Sequence, residues 1–368
     1  MSTKLLPLAL CSCAALSALA ALPATATTVA VIADGLSNPR GLAFAPNGRL
    51  FVTEVGSGGN GQCLPSADSP VPRCYGETGA LTRIDPDGLA PPVRVITGLP
   101  SMASLAGGFP RSGPVDVEFF GMQAYVLLGW GGPPALRDGV GPKSNLFGTV
   151  IRALPDGSYR LVADIAANEI RSNPAGGAYD SNPYGLDALP GRLVVADAGA
   201  NALIGACSHP HCVDSAGTLS VLPLTLQGRE PVPTAVKQGP DGWLYAGQLT
   251  GGPFFPAAST IYRVPPGGGE PVPFVGGLTA VVDIAFDAAG TLYVLEFARG
   301  FQNGNPGLGQ GRLKRKLPGQ PVETVLDNLS FPGGLTVGPD GDVYISVNSA
   351  SFDATSLTQG KVIRVSFD

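Results

Sequence analysis

The chain of 368 residues has little charge and almost no histidine. Asp, Glu, Lys and Arg make up 14% of it, the formal net charge is −5, and there are 2 histidines. Its most basic run is RLKRK at residues 312–316, which is too short to form the positive surface that phosphate backbones require. We therefore expect no nucleic-acid partner. Any mechanism with a histidine base would depend on the segment CSHPHC, residues 207–212.

Long apolar runs are also lacking, except at the N-terminus. Lys4 precedes an apolar stretch over residues 5–22, and Ala24-Thr25-Ala26 supplies the small residues of a cleavage site. This order predicts a secretory signal peptide over residues 1–26. The mature chain, 27–368, is then expected to be secreted or periplasmic, with no membrane segment.

Two alternatives for the N-terminus are weaker. A membrane helix is opposed by Pro7 within the apolar run, by Pro23 directly after it and by the Ala-Thr-Ala ending. The segment Leu10-Cys11-Ser12-Cys13 loosely resembles a lipoprotein cleavage box, but it lies too early in the run.

Cysteine is scarce as well, with 6 in the chain. Two would leave with the signal, and an even number in an oxidising compartment predicts two disulfides among the rest. The remaining cysteines are Cys63, Cys74, Cys207 and Cys212. Of three pairings we favour Cys63–Cys74 and Cys207–Cys212, because each encloses a short loop containing proline. The alternative for residues 207–212 is a metal site that includes His209 and His211, although such crowded ligands could hardly close one tetrahedron.

Glycine (52) and proline (36) are plentiful, and 44% of the residues are hydrophobic. This composition favours many short strands and turns over disorder. One strand–turn–strand phrase, NPRGLAFAPNGRLFVTE at residues 38–54, recurs along the chain with changed residues. The other copies begin at Asp116, Gly185, Ala235, Asp283 and Gly334. Their turns contain Pro-Asn-Gly, Pro-Asp-Gly or similar residues that accept positive φ.

A second hairpin follows most copies of the first. These second hairpins lie at residues 79–99, 148–165, 217–226, 259–278 and 311–329. The repeat is thus a four-stranded antiparallel sheet of about 57 residues that occurs six times, which predicts an all-β, six-bladed β-propeller.

The two ends of the mature chain supply a further prediction. The last repeat stops after a third strand, GKVIRVSFD, whereas the mature N-terminus begins with an unassigned strand, TVAVIAD at residues 28–34. We predict that this strand completes the sixth blade, which protects both terminal edges. A β-sandwich, the competing fold, explains neither the repeat nor the extra strand.

Loop lengths indicate where function lies. The turns within each hairpin are short, but the loops between hairpins and the connections between blades are long. The long segments are 55–78, 100–113, 130–147, 166–182, 198–216, 249–258, 297–310 and 348–359. They are expected to share one face of the disk, which we call the loop face, and long loops on a rigid scaffold are where sites usually lie.

Polar residues recur where second strands reach the loop face. One alignment column holds Glu54, Asp197, Gln248 and Glu296. The first strands add Asp116, Glu118, Asp187, Lys237 and Asp283, and Arg40 lies near a loop-face end. The functional interpretation is an acidic mouth over the central channel that binds a polar small molecule. It could equally hold Ca²⁺ through Glu54, Asp197 and Glu296. The structural interpretation is that these acids satisfy backbone groups or pair with Lys237 and the arginines.

Aromatic residues in these loops offer a second kind of wall for a pocket, or they pack loop against loop. They are Trp130, Phe147, Tyr179, Phe254, Phe255 and Phe301. No nucleophile elbow, zinc-protease motif or phosphate-binding loop is present in the sequence.

Several phrases resemble the ScyD/ScyE family of exported bacterial propellers. They are GLSNPRGLAFAPNGRLFVTEVGSGG, CYGETGALTRI, RVITGLPS, SGPVDVEF and SNPYGLDALPGRLVVADAGANAL, which lie between residues 35 and 203. The resemblance itself runs over essentially the whole mature chain. The resemblance implies a role like that in scytonemin biosynthesis, the maturation of an aromatic secondary metabolite outside the cytoplasm. It brings no catalytic residues with it.

The blades also resemble, more loosely, NHL-type and gluconolactonase-like propellers. In the latter a Glu, an Asn and an Asp hold a metal at the channel mouth. Glu54 and Asp197 lie in comparable places, but the matching asparagine is absent. The expected function is small-molecule binding on the loop face by a monomer. The alternatives are a calcium-dependent, lactonase-like hydrolase and a non-catalytic protein-interaction module.

Overall fold

A computed structural model describes residue 1 and residues 27–65, 71–104, 110–209, 213–302, 306–350 and 359–367. These residues form six small antiparallel sheets arranged as a six-bladed β-propeller, as the repeats predict. The predicted signal peptide lies outside the described residues, apart from Met1. No helix in the described part of the chain is both long and apolar enough to cross a membrane.

Each blade places its strands in chain order from the channel outwards, and the sixth adds the N-terminal strand. Blade 1 holds β2 (Pro39–Phe44), β3 (Leu50–Glu54), β5 (Arg73–Ile84) and β6 (Val93–Ala103), with the short β4 (Cys63–Leu64). Blade 2 holds β7 (Pro114–Phe120), β8 (Gln123–Leu128), β9 (Thr149–Ala153) and β10 (Tyr159–Asp164). Blade 3 holds β11 (Pro183–Leu189), β12 (Arg192–Asp197), β13 (Ala202–Cys207) and β14 (Gly217–Val221). Blade 4 holds β15 (Pro233–Gln238), β16 (Leu244–Gln248), β17 (Ser259–Val264) and β18 (Val272–Leu278). Blade 5 holds β19 (Val281–Phe286), β20 (Leu292–Glu296), β21 (Gly311–Lys316) and β22 (Glu323–Leu329). Blade 6 holds β23 (Gly334–Val337), β24 (Val343–Val347), β25 (Gly360–Phe367) and β1 (Thr27–Leu36).

The ring closes as the two termini predict. β1 pairs antiparallel with β25, with Val29 opposite Val365 and Ala33 opposite Val362. The first strands contact one another from blade to blade, and β2 of blade 1 contacts β23 of blade 6. The outermost strand of the last blade therefore comes from residues 27–36, far from the other three strands of that blade in the sequence.

The first strands approach one another so closely that some positions require glycine. A Cβ on Gly41 would lie 1.9 Å from Oδ1 of Asp116 in the next blade, and one on Gly185 would lie 2.5 Å from the carbonyl oxygen of Thr234. The hydrophobic core is divided into clusters of which several lie between blades. Leu42 of blade 1, for example, shares one with Tyr344 of blade 6.

The loop face contains structure that the repeats do not encode. Short β4 pairs with the start of β5, and the Cys63–Cys74 disulfide joins residues that are direct partners in this ladder. This confirms the first predicted disulfide. The second, Cys207–Cys212, stays a prediction because Cys212 lies outside the described residues. A helix, α1 (Ala166–Ser172), follows β10.

Candidate functional site

The strand-end acids that the sequence singles out are bonded within their own blades. Glu54 is fully buried and accepts hydrogen bonds from the Ser37 N–H (2.6 Å) and from the Thr82 hydroxyl (2.5 Å). It also forms an ion pair of 2.7 Å with Arg94. The carboxylate therefore ties β3 to the outer strands of blade 1.

Glu296 has a similar role in blade 5, where it joins β20 to β21. It is fully buried, accepts the Thr279 N–H at 2.8 Å, and pairs with Arg312 at 2.6 Å and with Lys314 at 3.6 Å. Burial nevertheless raises the pKa of its carboxyl.

Asp197 in blade 3 organises the turn that follows β12. It accepts the hydroxyl of Ser181 and the N–H groups of Asn182 at 2.7 Å and of Gly199 and Ala200 at 3.2 Å. Burial raises its pKa to about 6, against the effect of these hydrogen bonds. Gln248 in blade 4 accepts the Thr260 N–H at 3.2 Å, also within its own sheet.

These contacts bear on the predicted calcium site. Among the described residues, no group of three or more His, Cys, Asp or Glu side chains could hold a metal ion. Glu54, Asp197 and Glu296 belong to different blades, and each serves its own sheet. The structure thus does not bring the three together, and calcium binding keeps only the support of the sequence pattern.

The polar residues of the first strands do meet, in the central channel. The Lys237 ammonium donates to the Leu186 carbonyl at 2.9 Å and contacts the Glu118 carboxylate. Asp116 accepts the N–H of Leu186 at 2.7 Å, so that its carboxylate links blade 2 to blade 3. Asp283 links blade 5 to blade 6 in the same way, through the Leu335 N–H at 2.8 Å. Asp187 links blade 3 to blade 4 through the Gln238 N–H at 2.7 Å.

Crowding and burial perturb these groups. Burial raises the pKa of Asp116 and of Glu118 to about 7 and that of Asp283 to about 6, with Lys237 opposing the rise in each case. Burial alone would lower the pKa of Lys237, but the surrounding carboxylates, Glu118 first, outweigh it and raise that pKa. The channel therefore holds a cluster of charged groups that fastens neighbouring blades, and its acids are occupied.

Arg40, the remaining predicted site residue, lies at the loop-face end of the channel. It is buried and donates to the Tyr184 hydroxyl and to the Ser349 hydroxyl, both at 3.3 Å. Burial lowers the pKa of the nearby Arg111 to about 10, and the positive charge of Arg40 adds to this decrease.

A cleft opens on the loop face over blades 1 to 4. Its volume is about 540 Å³, and its walls come from loops rather than from the channel strands. The charged and amide side chains that line it are Arg73, Arg111, Glu169, Asn173, Asp180, Asn182, Asn201 and Glu230. The strand-end acids that the sequence predicts as a site, Glu54, Asp197 and Glu296, do not line this cleft.

The aromatic loop residues divide between packing and the cleft. Trp130 and Phe147 pack against each other, with ring centroids 5.2 Å apart, inside a buried cluster. Trp130 also contributes to the cleft wall, beneath Arg73, whose guanidinium lies 5.8 Å from the ring centroid. Phe254 reaches the cleft from blade 4 and stacks on Phe301 at 4.4 Å. Phe147 therefore serves packing, Phe254 lines the cleft, and Trp130 does both.

Glu169 is the cleft residue that sequence reasoning missed. It is 2% exposed, and its Oε2 has no hydrogen-bond partner among the described residues. Burial raises its pKa to about 7, the backbone N–H of Asp180 opposes the rise, and the charges of Asp197 and Asp180 add to it. The signal that could have found it is the acid within AANEIRS, in the long connection 166–182.

Comparison with known proteins establishes the architecture. No family model and no curated protein matches the sequence. Among solved structures, a Bacteroides thetaiotaomicron protein of unknown function has a TM-score of 0.56 at 11% identity, over 94% of this chain and 76% of that one. A streptogramin B lyase has a TM-score of 0.52 at 12% identity, over 93% of this chain and 98% of the other. A glucose dehydrogenase has a TM-score of 0.52 at 15% identity, over 92% and 99%. At such identities the likeness shows the fold alone, and the chain is by these comparisons a six-bladed β-propeller.

Proposed function

We propose that this protein binds a small molecule in the loop-face cleft. The observation that carries the proposal is the cleft itself, about 540 Å³ in volume and shaped by loops from four consecutive blades. Ligand pockets of proteins span roughly 300–1,000 Å³ and are mostly preformed on a rigid scaffold. The disulfide of blade 1 adds rigidity at one border, where Leu64 and Pro65 line the cleft beside Cys63.

The walls favour a polar ligand of modest size. Acids, guanidinium groups and amides alternate with glycines, among them Gly131, Gly132, Gly176 and Gly177. Glycine leaves backbone N–H and C=O groups accessible, so such a wall can hydrogen-bond a ligand without further side chains.

The resemblance to ScyD/ScyE proteins supports a more specific role, the maturation of an aromatic secondary metabolite outside the cytoplasm. The Cys63–Cys74 disulfide fits an oxidising compartment of that kind. Phe254 in the cleft wall would contact an aromatic ring. The calcium-dependent, lactonase-like alternative has no comparable support, because its three acids are bonded within their blades. The interaction-module alternative predicts that the purified protein retains a partner protein and no small molecule.

The test is untargeted mass spectrometry of small molecules that the purified protein retains. Ala178 is exposed and lines the cleft, so Ala178→Trp fills space without disturbing the core. Ala90 is an exposed residue in a turn of the opposite face and gives the matched control, Ala90→Trp. We expect a compound that the wild type and the control retain and that Ala178→Trp loses by at least tenfold. Equal retention by both variants, or retention of a protein alone, contradicts the proposal.

A further inference from the structure

We propose that Glu169 recognises a carbonyl oxygen of the molecule in the cleft by donating a hydrogen bond from its carboxyl group. The inference rests on the small-molecule function proposed above. It begins from where the chain holds this side chain.

The helix that carries Glu169 is fixed at both ends. At its start, Asp164 accepts the Ala167 N–H at 3.0 Å and is held by Arg137 in a two-point ion pair, with distances of 2.8 and 2.5 Å. At its end, the Arg171 guanidinium donates to the Ala216 carbonyl at 2.9 Å, which anchors the helix to blade 3. Glu169 therefore occupies a set position in the cleft wall, as a recognition group requires.

The carboxyl group of Glu169 is only half satisfied by the protein. It accepts a hydrogen bond from the backbone of Asp180, but its Oε2 is buried without a partner among the described residues. A buried polar atom without a hydrogen-bond partner lowers the stability of the fold, so native structures rarely keep one without a use. A ligand that bonds to this atom would remove the cost on binding.

The surroundings decide whether that atom donates or accepts. Asp180 and Asp197 act on Glu169 as like charges, and together with burial they raise its pKa to about 7. Arg137, the cation at the base of the helix, is already engaged by Asp164, and Thr218 on the adjoining strand β14 is neutral. Glu169 is thus mainly protonated below about pH 7, and a protonated carboxyl offers one O–H donor.

An acceptor oxygen is the complementary ligand group. A neutral carbonyl oxygen can accept a hydrogen bond from the O–H of protonated Glu169 without adding charge beside Asp180 and Asp197. A ligand carboxylate would add a third negative charge there, which those two acids oppose. An ammonium group would need Glu169 to ionise first, so it is the competing chemistry that the test must separate.

The experiment compares three fragments of one ring size by saturation-transfer NMR: cyclopentanone, cyclopentylammonium and cyclopentanecarboxylate. The proteins are the wild type, Glu169→Gln, Glu169→Leu and the control Glu270→Leu, an exposed residue outside the cleft. We expect the wild type to bind cyclopentanone, with affinity falling at least roughly tenfold from pH 6 to pH 8.5 as Glu169 ionises. Glu169→Gln keeps an N–H donor and should bind without this pH dependence. Glu169→Leu should bind about tenfold or more weakly, which is the loss of one hydrogen bond.

Three outcomes overturn the inference: no cyclopentanone binding by the wild type, binding equal at both pH values, or a preference for cyclopentylammonium. Thermal unfolding of each variant confirms that it is folded. If the wild type and Glu169→Leu retain the same natural compound in equal amounts, the cleft function stands and only the role of Glu169 fails.

Discussion

The scaffold and the loop-face cleft both contain buried carboxyl groups, yet they use them differently. In the scaffold, Asp116 receives N–H donors from Val117 and from Leu186 of the next blade, and Lys237 compensates its charge. In the cleft, Glu169 keeps one oxygen without a partner within the described structure. A raised pKa occurs in both places, so it does not by itself identify a site. What distinguishes the cleft is that the side chain with the unsatisfied oxygen belongs to a residue that lines space for a ligand.

The difference follows from the elements that carry the acids. First strands repeat with one geometry, so the donor that an acid needs recurs in the neighbouring blade. Loops of unequal length carry no such register, and the backbone of the 166–182 connection satisfies only part of Glu169. Three predictions test this contrast, beginning with the largest effect.

Removing the cation of the channel should be the most damaging change. Lys237→Met leaves Glu118, Asp116, Asp187 and Asp283 without the charge that compensates them. Truncating one partner of a buried ionic cluster costs about 3–5 kcal/mol, and we expect a loss of this order at pH 8. The loss should shrink at pH 5, where the acids with raised pKa values are neutral.

Urea unfolding at the two pH values measures this effect. Lys316→Met is the matched control, since Lys316 donates to a loop carbonyl, of Gln320, and not to an acid of the channel. An equal loss at pH 5 and pH 8 would show that Lys237 acts through packing and not through charge.

A scaffold acid and the cleft acid should respond in opposite ways to the same substitution. Glu54→Gln loses the ion pair with Arg94 and disturbs the contacts with Ser37 and Thr82. We expect it to lower the free energy of unfolding by about 1–2 kcal/mol, because Arg94 is partly exposed and charged hydrogen bonds contribute on that order. Glu169→Gln should change stability less, and it should remove the pH dependence of cyclopentanone binding because the amide keeps an N–H donor at every pH. Calorimetry measures the stability of both variants, and the NMR titration measures their cyclopentanone binding. Weaker cyclopentanone binding by Glu54→Gln would count against separate roles for the scaffold acid and the cleft acid.

The stability of the wild type should depend on pH with a definite sign. Asp116, Glu118 and Glu169 have pKa values of about 7 in the folded protein, against ordinary values of 3.8 to 4.5. Between about pH 4 and pH 7 the folded state binds more protons than the unfolded state, so stability falls as the pH rises through this range. We expect a decrease of at least about 1 kcal/mol from pH 5 to pH 8 at constant salt.

Glu118→Gln should flatten this profile by removing one of the titrating groups. A chemical denaturation series over the four pH values 5, 6, 7 and 8 is sufficient. Stability that rises over the same interval would mean that these acids are ionised in the folded state.

Much of the architecture could be predicted from the sequence, because it rests on local rules. Hairpin turns rich in Asn, Asp and Gly can be recognised from the residues alone. The extra strand at 28–34 has one free sheet edge to join, that of the last repeat, which lacks a fourth strand. The Cys63–Cys74 pairing follows from a short enclosed loop. The site could not be predicted to the same depth. The column with Glu54, Asp197 and Glu296 identifies equivalent positions, but it does not show that these side chains find donors within their own blades.

The sequence by itself determined the number of blades, the closure of the ring and the face that carries the long loops, since each depends on repetition along the chain. Only the tertiary structure decided that the acids of the channel find donors in neighbouring blades and that, among the described residues, Oε2 of Glu169 finds none. Hydrogen-bond donors for a buried carboxylate come from residues as far apart as Asp116 and Leu186, and the cleft around Glu169 exists only where loops of four blades meet. Whether a charge supports the fold or faces a ligand depends on those distant partners, which no local pattern specifies.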